Sequence, residues 1–140
     1  MDSDTINIVA ALIIDEAGRV LLVRKRGTNA FMQPGGKRDA GEDDITALSR
    51  EIAEELGCGV VAASIRPLGD FGAVAANEPG LRVQASLYRL EVTGKITPRQ
   101  EIDEAIWVDP EAPPEIHLAP LTRDHVLPLA AATRTVGNVR

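Results

Sequence analysis

Three glutamates, Glu51, Glu54 and Glu55, stand three and four residues apart in the run Arg50-Glu51-Ile52-Ala53-Glu54-Glu55-Leu56-Gly57-Cys58. On a helix that spacing brings all three carboxylates onto one face. Like charges held together disfavour ionisation. A chain that keeps them together is therefore a candidate for binding a hard divalent cation, whose preferred ligands are oxygens. Taken alone the triad also fits a solvated helix face with Arg50 as a local charge partner. The segment before it shifts the reading. In Gln33-Pro34-Gly35-Gly36-Lys37-Arg38-Asp39-Ala40-Gly41-Glu42, paired glycines after a proline allow backbone conformations and close approaches that a Cβ resists. Such a loop, leading into a carboxylate-bearing helix, is a candidate cradle for phosphate and metal.

The element that must position these groups is a helix over about Asp43 to Leu56. At about 100° per residue, with Glu51 at zero, Glu55 falls near 40° and Glu54 near −60°. Ile45, Leu48, Ile52 and Leu56 fall between roughly 60° and 140° on the same wheel. One side is an apolar stripe for a core, and the adjoining side is acidic. Asp43 or Asp44 caps the start, and Gly57 sits where a left-handed residue would end the helix.

The whole stretch resembles the Nudix box, the MutT-like signature G-x5-E-x7-R-E-U-x-E-E-x-G-U with U aliphatic. Gly36, Glu42, Arg50, Glu51, Glu54, Glu55 and Gly57 fill every fixed position. Ile52 fits the first U, and Cys58 is a small apolar substitute at the second. The resemblance implies an α/β fold, the Nudix fold, in which a mixed β-sheet is sandwiched between α-helices (α/β/α). It is expected as a single domain over residues 1–140.

The rest of the chain is compatible with that expectation. Its 140 residues, 44% hydrophobic, suit one domain with a usable core. Thr5 to Ile14 reads as a strand, Asp15 to Arg19 as a hairpin loop, and Val20 to Lys25 as the returning partner strand. Val60 to Phe71 reads as one strand or two short ones, and Ala76 to Gly80 as a turn. Leu81 to Val92 alternates as a strand, and Ala105 to Val108 suggests another. Pro120 to Ala131 reads as a closing helix complicated by Pro128. A single cysteine excludes an intramolecular disulfide. Met1-Asp2-Ser3-Asp4 lacks the basic region of a secretory signal, and Ile6 to Ile14 is too short to cross a bilayer, so a cytoplasmic location is expected. The net charge of −6 argues against a nucleic-acid polymer as partner, though not against a nucleotide.

The resemblance implies a metal-dependent pyrophosphohydrolase using Mg2+, with Mn2+ as a substitute. By this likeness Glu54 and Glu55 are the principal metal ligands, helped by the Gly35 carbonyl. Glu51 is a further ligand or the base that activates water. Glu42 supports the metal shell, and Arg50 orients Glu51 through a charge-assisted hydrogen bond. Family members often supply another acidic group from a later loop, where Glu101 and, less closely, Glu104 stand. Arg24 and Arg26 share one face of a strand from which they would meet phosphates. Lys37 and Arg38 lie closer to the glycine loop, and Gln33 stands where relatives often carry an apolar residue. His117 and His125 lack metal-ligand spacing, Cys58 reads as packed, and Trp107 as a sheet-packing residue.

The expected substrate is a small nucleotide, foremost a nucleoside triphosphate, including an oxidised one such as 8-oxo-dGTP. ADP-ribose or another nucleotide sugar is the alternative. A non-catalytic nucleotide-sensing module is the alternative of another class, although such domains often lose box carboxylates that are all retained here. No membrane partner is expected, and homodimerisation is left open.

Overall fold

The structure, a computed structural model, describes residues 4–137, and the side chains of residues 4–132. Nine strands and two helices follow in chain order: β1 (Thr5–Ile13), β2 (Val20–Lys25), β3 (Phe31–Met32), β4 (Gly35–Gly36), α1 (Asp44–Leu56), β5 (Gly59–Val60), β6 (Arg66–Val74), β7 (Arg82–Leu90), β8 (Val92–Thr93), β9 (Ile102–Val108) and α2 (Leu127–Gly137). One sheet has the order β4-β1-β7-β6, a second β3-β2-β9, and a two-stranded piece pairs β5 with β8.

The apolar runs of β1 and β2 are covered on both faces. Alternate residues point to opposite sides of a strand, and two cores result. Val9, Ala11, Ile13, Leu21 and Val23 pack against Ala47, Leu48, Ile52 and Leu56 of α1. Ala10, Leu12, Val20 and Leu22 pack against Val126, Leu127 and Ala130 at the other helix. This is the expected α/β/α sandwich. Among the described residues no helix is long and apolar enough to cross a membrane.

The expected β1–β2 hairpin is corrected. Asp15 closes the loop by accepting from Ala17 N–H and Arg19 N–H, and Gly18 supplies a φ of +81°. Beyond the loop the strands share only the bridge Ile14↔Val20. β1 instead runs parallel to β7 from Thr5↔Arg82 to Ile13↔Leu90, and β2 pairs with β9 and β3. A turn reverses the chain but does not decide which strand edges meet.

Other differences are smaller and have local causes. Val60 to Phe71 divides into β5, a 3-10 turn over Ala62–Ser64, and β6, which continues to Val74. Pro67 is tolerated because β6 is an edge strand, with a bulge beside Gly69. β9 begins at Ile102, three residues before the expected strand, because Arg24 of β2 binds Asp103 and Glu104 across the pair. The closing helix contains a π turn over Thr122–Val126. Its wider helix accommodates Pro128, whose ring would clash with the fourth carbonyl before it in a regular α-helix.

Helix α1 follows its sequence signals closely. Asp43 is the cap, accepting from Thr46 N–H at 2.8 Å, and Gly57 ends the helix with a φ of +68°. Leu48, Ile52 and Leu56 are fully buried, whereas Ile45, expected on the same stripe, is 40% exposed in the first turn. Arg38 binds Asp44 at 2.6 Å and Ser86 at 3.1 Å, and the Tyr88 hydroxyl also donates to Asp44. These contacts tie the start of α1 to β7.

β4 pairs antiparallel with β1, Gly35 opposite Ala10 and Gly36 opposite Val9. Gly35 has a φ of +151°, and a Cβ there would lie 2.2 Å from the Val9 carbonyl oxygen. We expect Gly35→Ala to destabilise the protein by about 3 kcal/mol through backbone strain and that clash. The urea midpoint measures it, and an unchanged midpoint would show that β4 can move away from β1.

Candidate active site

The glycines of β4 determine how closely α1 can approach. Glu55 is 4% exposed and accepts from Gly35 N–H at 3.3 Å through Oε1. A Cβ on Gly36 would stand 2.5 Å from the Glu51 carboxyl. The bare backbone of β4 thus makes room for two carboxyl groups that any larger residue would displace. Neighbouring Glu54 points to solvent, with 47% of its side chain exposed.

Arg50 stands behind these groups and joins them. Its Nε and one terminal nitrogen hold both oxygens of Glu42 at 2.8 Å. Its other terminal nitrogen reaches Glu51 at 3.0 Å and Glu54 at 3.4 Å. It also donates to the Lys37 carbonyl and pairs with Asp39. Glu42 accepts in addition from Asp39 N–H, and the Arg50 guanidinium beside it brings its acidity to about 2. The Glu42 carboxylate is thus occupied with Arg50, and it does not line the cavity.

The second wall comes from the turn between β8 and β9. Arg99 N–H bonds to the Glu55 carbonyl at 2.9 Å, and Ile102 N–H closes back on Arg99. Between them Gln100 has a φ of +57°, the one positive value on a non-glycine among the described residues. This sparsely populated conformation turns Glu101 toward the glutamates of α1. Lys25 Nζ lies 3.7 Å from the Glu101 carboxylate.

These elements enclose a cavity of about 390 Å³. Gln33, Gly35, Gly36, Lys37, Glu51, Glu55, Glu101 and Lys25 line one part. Ile6, Ile8, Val74 and Val83 give the remainder an aliphatic wall, with Asn77 and Glu78 at the β6–β7 turn. A recess bounded by Glu51, Glu54, Glu55, Gln100 and Glu101 adjoins it. Eight of the candidate residues, counting Glu54 of the recess, therefore converge here: Gln33, Gly35, Gly36, Lys37, Glu51, Glu54, Glu55 and Glu101.

Arg24 of β2 and Arg26 just beyond its end are not among them. Arg24 binds Asp103, Glu104 and the Thr28 carbonyl and lies over Phe31, so both it and Glu104 are committed elsewhere. Arg26 donates to the Gln100 carbonyl outside the cavity lining. Lys25, which lies between them and points to the opposite side, lines the cavity instead, as does Lys37. Alternation along β2 was the signal that could have found Lys25. Of the remaining groups, Cys58 is buried, Trp107 packs on the α1 core, and the His125 ring lies 5.2 Å from that of Phe71.

The electrostatics suit a cation. The Glu55 carboxyl is pushed up to about 8, mainly by burial, against the opposing Gly35 N–H and with the Glu51 charge adding to the rise. Burial also raises Glu51, opposed by Arg50 and reinforced by Glu54 and Glu101. Among the described residues no three acidic, histidine or cysteine groups close around one point tightly enough to hold a metal as they stand. The donor set nevertheless fits a hard divalent ion: carboxylate oxygens converge on one recess where mutual repulsion and burial oppose their ionisation.

Comparison with known proteins gives the family. The NUDIX domain model matches residues 5–130, and the chain belongs to that family. A 61-residue stretch is 41% identical to the 8-oxo-dGTP diphosphatase of Haemophilus influenzae, covering 41% of this chain and 45% of that protein. A 51-residue stretch is 39% identical to the RNA pyrophosphohydrolase of Halorhodospira halophila, covering 36% and 28%. The matched stretches thus span less than half the length of these curated relatives. Among solved structures, the MutT NUDIX hydrolase of Burkholderia pseudomallei aligns with a TM-score of 0.71 at 22% identity, covering 91% of this chain and 96% of that one. A UDP-X diphosphatase aligns with a TM-score of 0.74 at 20% identity, covering 93% and 64%. These structures share the fold.

A carboxyl group raised in the folded state favours folding while protonated. Its contribution is complete below the unfolded value of about 4.3 and is lost as pH rises through the folded value of about 8. We expect Glu55→Gln to raise the urea midpoint of the metal-free protein at pH 8 and to change it much less near pH 4. An equal change at both pH values would contradict a buried, proton-holding Glu55.

Proposed function

We propose that the protein is a metal-dependent pyrophosphohydrolase that converts a nucleoside triphosphate and water to a nucleoside monophosphate and pyrophosphate. The observation that carries this reading is that Glu51, Glu54 and Glu55 of a complete Nudix box border a cavity and its adjoining recess, and that the cavity's other end is aliphatic. Charged phosphates and a flat base need those two surroundings side by side. Oxidised purine nucleotides such as 8-oxo-dGTP belong to the proposed class.

Nudix hydrolases are generally divalent-metal dependent, and Mg2+ is the proposed ion, with Mn2+ as a substitute. Glu51, Glu54 and Glu55, with the Gly35 backbone, would hold it. When bound, the ion neutralises phosphate charge and acidifies water. The chain's own groups do the rest. Lys25 and Lys37 supply cations at the cavity wall for the phosphates. Arg50 acts as a positioning residue, holding Glu51 in place while Glu42 fixes the guanidinium from behind. Glu101, which stands on the strained turn and has 64% of its side chain exposed, is the base proposed to accept the water proton. The water oxygen bonds to one phosphorus of the α–β anhydride, and the bridging oxygen leaves with its electron pair on the other product.

A panel of nucleoside triphosphates, 8-oxo-dGTP and ADP-ribose with Mg2+ or Mn2+ tests the reading. We expect metal-dependent turnover of a triphosphate and a loss of about 100-fold or more in kcat for Glu54→Gln and Glu55→Gln. Full activity in both variants would remove them from the metal site. Binding without turnover across the panel would instead indicate a nucleotide sensor. Lys25→Ala should raise KM about tenfold, whereas Arg24→Ala should leave KM within about twofold. The reverse order would return the phosphate contact to Arg24.

A further inference from the structure

Arg26, expected beside Arg24 as a phosphate contact, has no part in the chemistry above. It is exposed just past the end of β2, and among the described residues its guanidinium makes one hydrogen bond, 3.2 Å to the Gln100 carbonyl. Its backbone N–H donates at 2.7 Å to the carbonyl of the next residue, Glu101. Arg26 therefore grips both carbonyls at the tip of the turn that carries Glu101. The other side of that turn is seated on the end of α1. Thr97 N–H bonds to the Leu56 carbonyl at 2.8 Å, and Arg99 N–H to that of Glu55 at 2.9 Å. The Arg99 guanidinium lies so close over Gly57 that a Cβ there would stand 2.6 Å from its Nε.

The turn needs this grip because it runs against backbone preference. In Arg99-Gln100-Glu101-Ile102 the Ile102 N–H closes on the Arg99 carbonyl at 3.0 Å, and the positive φ falls on the second residue alone, Gln100 at +57°. That is the type II′ pattern, in which glycine is the usual occupant of the second position. A side chain there is strained, and such strain persists only where the surroundings over-determine it. Relaxation of Gln100 to negative φ would swing the peptide that joins it to Glu101, and the glutamate with it. The bond from the Arg26 guanidinium to that peptide's carbonyl opposes the swing. The contacts with α1 do not, because they hold Thr97 and Arg99, ahead of the strained residue.

We propose that Arg26 is a positioning residue for Glu101. It holds the strained turn in the conformation that directs this carboxylate at the glutamates of α1, and it touches no phosphate itself. The proposal deepens the reading of Glu101 as the base that accepts the water proton, and rests on it. A base works only within hydrogen-bond reach of that proton, so a loosened turn costs rate and leaves substrate affinity alone. A single exposed hydrogen bond contributes little to global stability, so the effect is confined to the turn.

The test joins kinetics on the triphosphate that the wild type turns over fastest with amide hydrogen exchange on the full chain. In Arg26→Ala we expect kcat to fall about tenfold, KM to stay within about twofold and the urea midpoint to hold. A raised KM at unchanged kcat would return Arg26 to the phosphates and overturn the proposal. In a Glu101→Gln background, Arg26→Ala should change kcat by less than about twofold, because the group it positions is gone. An equal loss in both backgrounds would reveal a merely structural role and defeat it. Full kcat in Glu101→Gln would remove the base assignment and the proposal together. A loss in Glu101→Gln with full kcat in Arg26→Ala would remove the proposal alone. Independently of turnover, the Ile102 N–H that closes the turn should exchange about fivefold faster in Arg26→Ala, while the amides of α1 keep their rates. Unchanged exchange at Ile102 would overturn the proposal whether or not the chain hydrolyses any substrate.

Discussion

Removing a carboxyl group from water is costly unless something replaces its solvation, and the arrangement around Glu55 follows from that constraint. The replacement is small: one 3.3 Å hydrogen bond from Gly35 N–H, on a strand that carries no side chains. Because β4 is two glycines, its backbone can lie against Val9 on one side and meet the carboxyls of α1 on the other. Leu48, Ile52 and Leu56 press the helix onto β1 and β2, so the core and the acidic face are two consequences of one packing contact. The incomplete solvation leaves Glu55 holding a proton near neutrality. A cation that displaced the proton would complete the solvation that the protein leaves unfinished.

Arg50 allows so many carboxylates to coexist. Opposite charge close by favours the ionised form, and a bidentate guanidinium–carboxylate pair also fixes orientation. Glu42 is saturated by this pair and by Asp39 N–H, so its charge is consumed in holding Arg50. Glu51 receives only one bond from the same guanidinium and stays directed at the cavity. Two residues of the same type thereby take different roles through the number of donors each meets.

The helix and its carboxylates were legible because their determinants are local. Asp43, Gly57 and the buried stripe of Leu48, Ile52 and Leu56 depend on residues within a few turns, and they appear as expected. Partners distant in sequence were not legible. β1 looked like half of a hairpin, but its long partner is β7, and that choice depends on how both faces of an apolar strand are covered. Arg24 looked free to meet phosphate because Asp103 and Glu104 lie 79 and 80 residues away. Alternation along β2 separates Lys25 from Arg24, but which of the two faces meets the cavity is settled by β9, whose Asp103 and Glu104 hold Arg24. Glu101 was found through family resemblance, and what places it is the left-handed turn at Gln100, which no propensity favours.

The same distinction separates the reaction from its specificity. Hydrolysing a phosphoanhydride calls on charges that one loop and one helix carry together, so their order survives in a contiguous stretch of sequence. The rest of the cavity wall comes from β1, β6, β7 and the segment before α2, which meet only after folding. Gln33 and Thr122 are 89 residues apart. They meet because Phe31 exchanges backbone hydrogen bonds with His117 and Ala119, bringing the start of the closing helix beside the β3–β4 loop. The loop that leads into the acidic helix thus also carries Gln33 at the cavity wall.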